Sequence, residues 1–200
     1  VEESVYWCIE NVKALGKIDI DYCCYTTPLG SSCPHTSSIL QKAKGIFNIK
    51  LLKLHGSSNW KRCPNCSRLY TGVGSKDNIW DLYALPRSCR YCLRRPAAEE
   101  THENVANLES FFISPTYLKT FNNSHIQSIW HNAYVELAEA DRIVFIGYSL
   151  PEADYYLRSL IKRAVQADAE IHVVLLDRDR PRQQTPKNLR SFFAATRYEQ

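Results

Sequence analysis

Two hundred residues, 44% hydrophobic and 23% charged with only seven Gly and nine Pro, describe a globular chain with enough residues for a substantial core, and exclude disordered and collagen-like architectures. The formal net charge of +4 is too small to imply nucleic acid without a clustered patch. No apolar run approaches the ~20 residues of a bilayer span, so no membrane is expected. Methionine is absent even from position 1, so Val1 reads as the start of a matured chain, an excised domain or a fragment.

In chain order, residues 2 to 15 carry Val5, Cys8, Ile9, Val12 and Leu15 on one stripe, which predicts a helix stopping at Gly16. Residues 23 to 38 are rich in Thr, Ser, Pro and Gly and read as an irregular loop. Residues 49 to 54 read as a buried strand that ends at the polar cluster His55-Gly56-Ser57-Ser58-Asn59-Trp60. His55 is the candidate for proton chemistry, since imidazole titrates near neutrality, although a histidine at a strand end also suits a purely structural role.

Eight cysteines are many for an intracellular chain of this length and few for a small secreted disulfide scaffold. Four form two C-x-x-C pairs, Cys63/Cys66 and Cys89/Cys92, with 22 residues between them. Two residues between cysteines let a tight turn aim both sulfurs at one ion, and two such knuckles complete a tetrahedron. The reading is structural Zn2+: with all four positions filled by protein, no open site remains for catalysis. Two disulfides or a redox pair are the alternatives, but neither pair follows a strand into a helix as a redox motif does. Lys61, Arg62, Arg68, Arg87, Arg90, Arg94 and Arg95 would offset thiolate charge. Cys8, Cys23, Cys24 and Cys33 lack metal spacing and read as packing residues or spare thiols.

Downstream, Ile126, Ile129, Trp130, Ala133 and Leu137 recur at helical spacing, predicting a helix over 124–138 with Ser124 as cap. Residues 142–146 form an apolar strand ending at Gly147-Tyr148-Ser149. Pro151 then opens a helix through about Ala167, and 171–176 form a strand ending at Asp177. Strand, helix, strand with short connections is a βαβ crossover, hence a parallel sheet covered by helices.

Ligands of such sheets sit beyond the carboxyl ends of the strands, where His55, Gly147, Ser149 and Asp177 fall. Gly147 admits a phosphate or sugar close to the backbone, Ser149 can hydrogen-bond it, and Asp177 stands where dinucleotide folds place a ribose acceptor. An ordinary βα turn with a helix cap would use the Gly147 and Ser149 residue types equally well.

Lys53-Leu54-His55-Gly56-Ser57, the two cysteine pairs, Ile146-Gly147-Tyr148-Ser149-Leu150 and the strand ending at Asp177 resemble, in this order, the second half of a sirtuin catalytic domain. The wording Gly-Tyr-Ser-Leu-Pro-Glu-Ala-Asp is closer to the divergent microbial sirtuin-like branch. The resemblance covers roughly residues 18 to 180. It implies an α/β fold: a Rossmann-like parallel sheet with helices on both faces and a small inserted zinc module. Residues 1–58 and 109–200 would form the NAD-binding part and 59–108 the module.

It further implies NAD+ as the molecule consumed, with cleavage of the bond between nicotinamide and ribose. His55 would be the general base, Gly147 and Ser149 the cofactor-binding Gly-x-Ser, and Asp177 the contact to the adenosine ribose, where the family often has Asn. The acceptor would be water in an NAD+ hydrolase or an acyl-lysine protein in a deacylase. The family's phosphate loop and Asn-bearing segment would lie upstream of Val1, so residues 1 to 200 alone are expected to keep zinc and half a cofactor site without turnover. Phe111 to Tyr117 departs from the family's acyl-substrate segment. A cytoplasmic location is expected. The reading from a different class is a non-catalytic zinc ribbon whose arginines contact nucleic acid or a protein partner.

Overall fold

The computed structural model describes residue 11 and residues 18–28, 47–71, 88–93, 107–113, 122–174 and 188–194. Asp177, Cys8, Cys33 and, apart from the helical Asn11, the expected helix over 2–15 lie outside the described residues. The chain is α/β and divides into two compact units, Val1–Ile113 with Phe121–Ile129, and Ser114–Thr120 with Trp130–Gln200. No helix among the described residues is long and apolar enough to cross a membrane.

In the first unit, β1 (Ile18–Asp21) pairs in parallel with β3 (Phe47–Lys50). A second, four-stranded sheet runs β2 (Thr26–Pro28), β5 (Leu69–Thr71), β4 (Gly56–Arg62), β6 (Glu109–Phe112). Two expectations change here. The strand expected over 49–54 ends at Lys50, and the polar cluster expected to close it instead enters β4. The cause lies in backbone pairing: β4 bonds antiparallel to β5 on one side and to β6 on the other, with a bulge between Ser57 and Lys61. Ladder bonds of that kind need no alternating side-chain pattern. The segment read as loop from 23 to 38 likewise contributes β2, which pairs with β5 in parallel.

The core of this sheet is Trp60, Leu69 and Tyr70, all at or near zero exposure, with the Tyr22 ring edge-on to Trp60 at 5.4 Å. A short helix, α1 (Arg90–Leu93), carries the second cysteine pair. Helix α2 (Ser124–Ala138) spans its expected range, but its cap is Asn123, whose Oδ1 accepts from the N–H groups of His125 at 2.9 Å and Ile126 at 3.3 Å. Ser124 is the first helical residue instead. Ile126 and Ile129 are fully buried in the stripe that the periodicity marks.

In the second unit, β7 (Arg142–Ile146) and β8 (Glu170–Val174) pair in parallel from Arg142 opposite Glu170 to Ile146 opposite Val174, across helix α3 (Tyr155–Ala164). This is the expected crossover. Phe145, Leu150, Ile161 and Leu189 form its core, with Leu189 supplied by α4 over residues 188–194. Helix α3 opens four residues later than expected. Pro151 sits in a turn closed by the Asp154 N–H on the Pro151 carbonyl at 3.1 Å, and Asp154 is the N-cap residue.

Candidate functional site

The four module cysteines converge. All four Sγ atoms lie within 4.8 Å of one another, with Cys63 to Cys92 at 3.7 Å and Cys66 to Cys89 at 3.6 Å. A tetrahedron built on Zn–S bonds of ~2.3 Å has edges of about 3.8 Å, whereas a disulfide would bring sulfurs to about 2.05 Å. All four are free thiols, Cys63 and Cys89 buried and Cys66 and Cys92 half-buried. The cluster therefore fits zinc.

Local geometry explains the convergence. The Cys63–Cys66 turn closes through the Ser67 N–H on the Cys63 carbonyl at 2.9 Å and the Cys63 N–H on the Arg68 carbonyl at 3.0 Å, with Ser67 in the left-handed region at φ 57. The Cys66 N–H points at the Cys63 sulfur at 3.5 Å. On the second knuckle, the Leu93 N–H bonds the Cys89 carbonyl at 3.1 Å.

The sulfurs are not equivalent. Burial pushes the Cys89 thiol up, but hydrogen bonds from the Tyr70 hydroxyl and from the backbone of Cys92 and Tyr91 outweigh it and bring the group down to about 7. Burial and the neighbouring thiols push Cys92 up to about 12, and burial also raises Cys66. A cation bound between them would favour the thiolate form of all four. Tyr70 was not singled out by the spacing: its hydroxyl lies 3.1 Å from Cys89 Sγ. Its place in the middle of β5 carries no motif, so only the fold reveals it. Arg68 stacks on the Tyr91 ring at 3.4 Å and Arg90 faces Tyr70 at 5.9 Å, which keeps positive charge beside the sulfurs.

His55 occupies the turn into β4. Its Nδ1 lies 3.2 Å from the Ile113 carbonyl oxygen, and its own carbonyl accepts the Ile113 N–H at 2.8 Å. A carbonyl can only accept, so the proton of the neutral ring belongs on Nδ1 and Nε2 is the basic nitrogen. Gly56 makes this contact possible. It sits at φ 74, and a Cβ there would stand 2.5 Å from the Phe111 carbonyl oxygen. Lys53 donates to Ser57 Oγ at 2.8 Å and faces the Trp60 ring at 5.5 Å, which pins the segment on both sides of His55.

Gly147 and Ser149 follow β7 in the second unit and are both exposed. Gly147 has φ 63 with open space where a Cβ would stand. Leu150 also has a positive φ of 51 although it is not glycine, and its side chain is fully buried. Such a residue costs about 1–3 kcal/mol and persists only where its surroundings hold it. Among the predicted site residues, the structure thus brings the four cysteines together, places His55 against Ile113 in one unit, and places Gly147 and Ser149 on one turn of the other.

No family model and no curated protein matches the chain. Solved structures do. A mutant Sir2 homologue in complex with ADP-ribose is 16% identical over 78% of this chain and 54% of its own, with a TM-score of 0.37. A Sir2 homologue in complex with NAD is 16% identical over 76% and 52%, at 0.36. A structure concerned with sirtuin substrate affinity is 17% identical over 64% and 45%, at 0.37. The chain spans about half the length of the solved structures it matches.

Proposed function

We propose that the chain is part of an NAD+-consuming protein of the sirtuin type that cleaves the nicotinamide–ribose bond, with zinc in a structural role on Cys63, Cys66, Cys89 and Cys92. The observation that carries the reading is the anchored His55. The Ile113 carbonyl at 3.2 Å holds the proton on Nδ1 and makes Nε2 the base.

In the reaction, the C–N bond to nicotinamide breaks with its electron pair leaving on the nicotinamide nitrogen. An acceptor oxygen forms the new C–O bond to ribose. His55 takes the proton released along the way, from water in the hydrolase or from the ribose hydroxyl that attacks the alkylated acyl group in the deacylase. Gly147 and Ser149 would hold the dinucleotide backbone, and Asp177 the adenosine ribose. Residues 59–108 would form the inserted module and the rest of the chain the nucleotide-binding part.

The module's arginines fit this better than a nucleic-acid surface. Arg62 lies 3.9 Å from Glu109 and 5.7 Å from the Phe111 ring, and Arg68 is stacked on Tyr91. Nicotinamide release by the protein as its gene encodes it, measured with and without an acetyl-lysine peptide, tests the proposal. Peptide dependence identifies a deacylase and independence a hydrolase. Absence of release in both arms, with salt-sensitive binding to single-stranded DNA, identifies the binding module.

A further inference from the structure

The second unit holds a buried carboxylate that the proposed chemistry does not use. Asp154 is 4% exposed and precedes α3, yet its side chain makes no cap bond to the helix. It accepts a hydrogen bond from the Tyr148 hydroxyl at 3.0 Å instead. Burial and that carboxylate keep the Tyr148 hydroxyl protonated, hence a donor. One helical turn on, Arg158 reaches back and donates from Nη1 to the Leu150 carbonyl at 2.9 Å, with its guanidinium 4.9 Å from the Phe192 ring.

The two bonds grip the same turn from either side of Ser149. One fixes the side chain of residue 148, the other the backbone of residue 150. A leucine at φ 51 does not hold that conformation by preference, and here its buried side chain and its carbonyl are both tied down. An aspartate before a helix ordinarily caps it; here the buried carboxylate makes no cap bond and accepts from Tyr148, which ties it to the turn.

We propose that Asp154 and Arg158 are positioning residues, which lock the 147–150 turn in one conformation so that Gly147 and Ser149 meet the pyrophosphate of an ADP-ribosyl ligand without first paying to order the loop. The role rests on the dinucleotide reading above. Its test uses the protein as its gene encodes it and the variants Tyr148→Phe, Asp154→Asn, Arg158→Leu and Arg158→Lys. Two readouts are amide hydrogen exchange over residues 147–154 and calorimetric binding of ADP-ribose.

Tyr148→Phe removes a single oxygen and leaves the ring in place. It is expected to speed exchange in this segment about tenfold while the rest of the chain is unchanged, and to weaken ADP-ribose by about the same factor. Arg158→Leu is expected to match it, with part of the loss restored by Arg158→Lys. Unchanged exchange in every variant overturns the clamp. Faster exchange with undiminished ADP-ribose affinity overturns the positioning role alone. No ADP-ribose binding by the unsubstituted protein overturns the dinucleotide reading and the role with it, while the exchange data still decide whether the clamp exists.

Discussion

Replacing Gly56 by alanine places a methyl group where the structure has no room. The residue sits at φ 74, a conformation that costs an L-residue about 1–2 kcal/mol. Its Cβ would stand 2.5 Å from the Phe111 carbonyl oxygen, a backbone atom, where real contacts rarely fall below 3.0 Å; the neighbours must separate by at least the difference, 3.0 − 2.5 = 0.5 Å. Phe111 belongs to β6 and cannot rotate away, so the strand itself must move. Overpacking of this kind costs about 1–3 kcal/mol more, for a total of about 2–5 kcal/mol. The displacement falls beside Ile113, whose N–H and carbonyl make both backbone-anchored bonds to His55.

Gly147 supplies the control. Its φ is 63, but nothing lies within 4 Å of a Cβ built there, so Gly147→Ala should cost only the conformational ~1–2 kcal/mol. Urea unfolding of the two variants compares them directly. Gly56→Ala should be the more destabilised by at least about 1 kcal/mol, while Gly147→Ala should instead weaken ADP-ribose binding. Equal stabilities, or Gly147→Ala the worse, would refute the packing argument.

Tyr70→Phe removes the hydroxyl 3.1 Å from Cys89 Sγ and should weaken zinc about tenfold in chelator competition, with about one zinc per chain still bound in excess metal. His125 is held below its ordinary 6.5, first by burial and then by Arg68, against a hydrogen bond to the Ser67 backbone. The native state therefore binds that proton less readily than the unfolded chain, so stability is full above about pH 7 and falls as pH drops through about 6.5 and below. His125→Asn should flatten that slope in urea unfolding measured from about pH 7.5 to about pH 5.5. Burial, with the neighbouring Cys23 and Asp21, pushes the Cys24 thiol up to about 12. Iodoacetamide at pH 8 should leave it unlabelled in the folded protein and modify it once urea is added.

The parts legible in the sequence are those whose signals are local. The C-x-x-C spacing encodes the four-cysteine cluster because each knuckle is a four-residue turn, and the 3.6-residue stripe of Ile126, Ile129 and Ala133 marks α2. The apolar runs of β7 and β8 read as a crossover because parallel strands are hydrophobic throughout. Strand β4 was hidden because its pairing on two sides and its bulge at Ser57 to Lys61 depend on β5 and β6, which arrive from elsewhere in the chain. Tyr70, Asp154 and Arg158 were hidden for the same reason: each acts through contacts across a turn or strand that no spacing rule describes. Pro151 misled the reading of α3, because the left-handed Leu150 and the turn to Asp154 delay the helix to Tyr155.

The most direct measurement is nicotinamide release from NAD+ by the zinc-loaded protein as its gene encodes it, beside its His55→Ala variant. Release of nicotinamide together with one ADP-ribosyl product per NAD+ consumed is expected, falling at least about 100-fold in the variant, the usual contribution of a general base. Release that is absent from the unsubstituted protein, or undiminished without the imidazole, would contradict the assignment of His55 and the NAD+-consuming function.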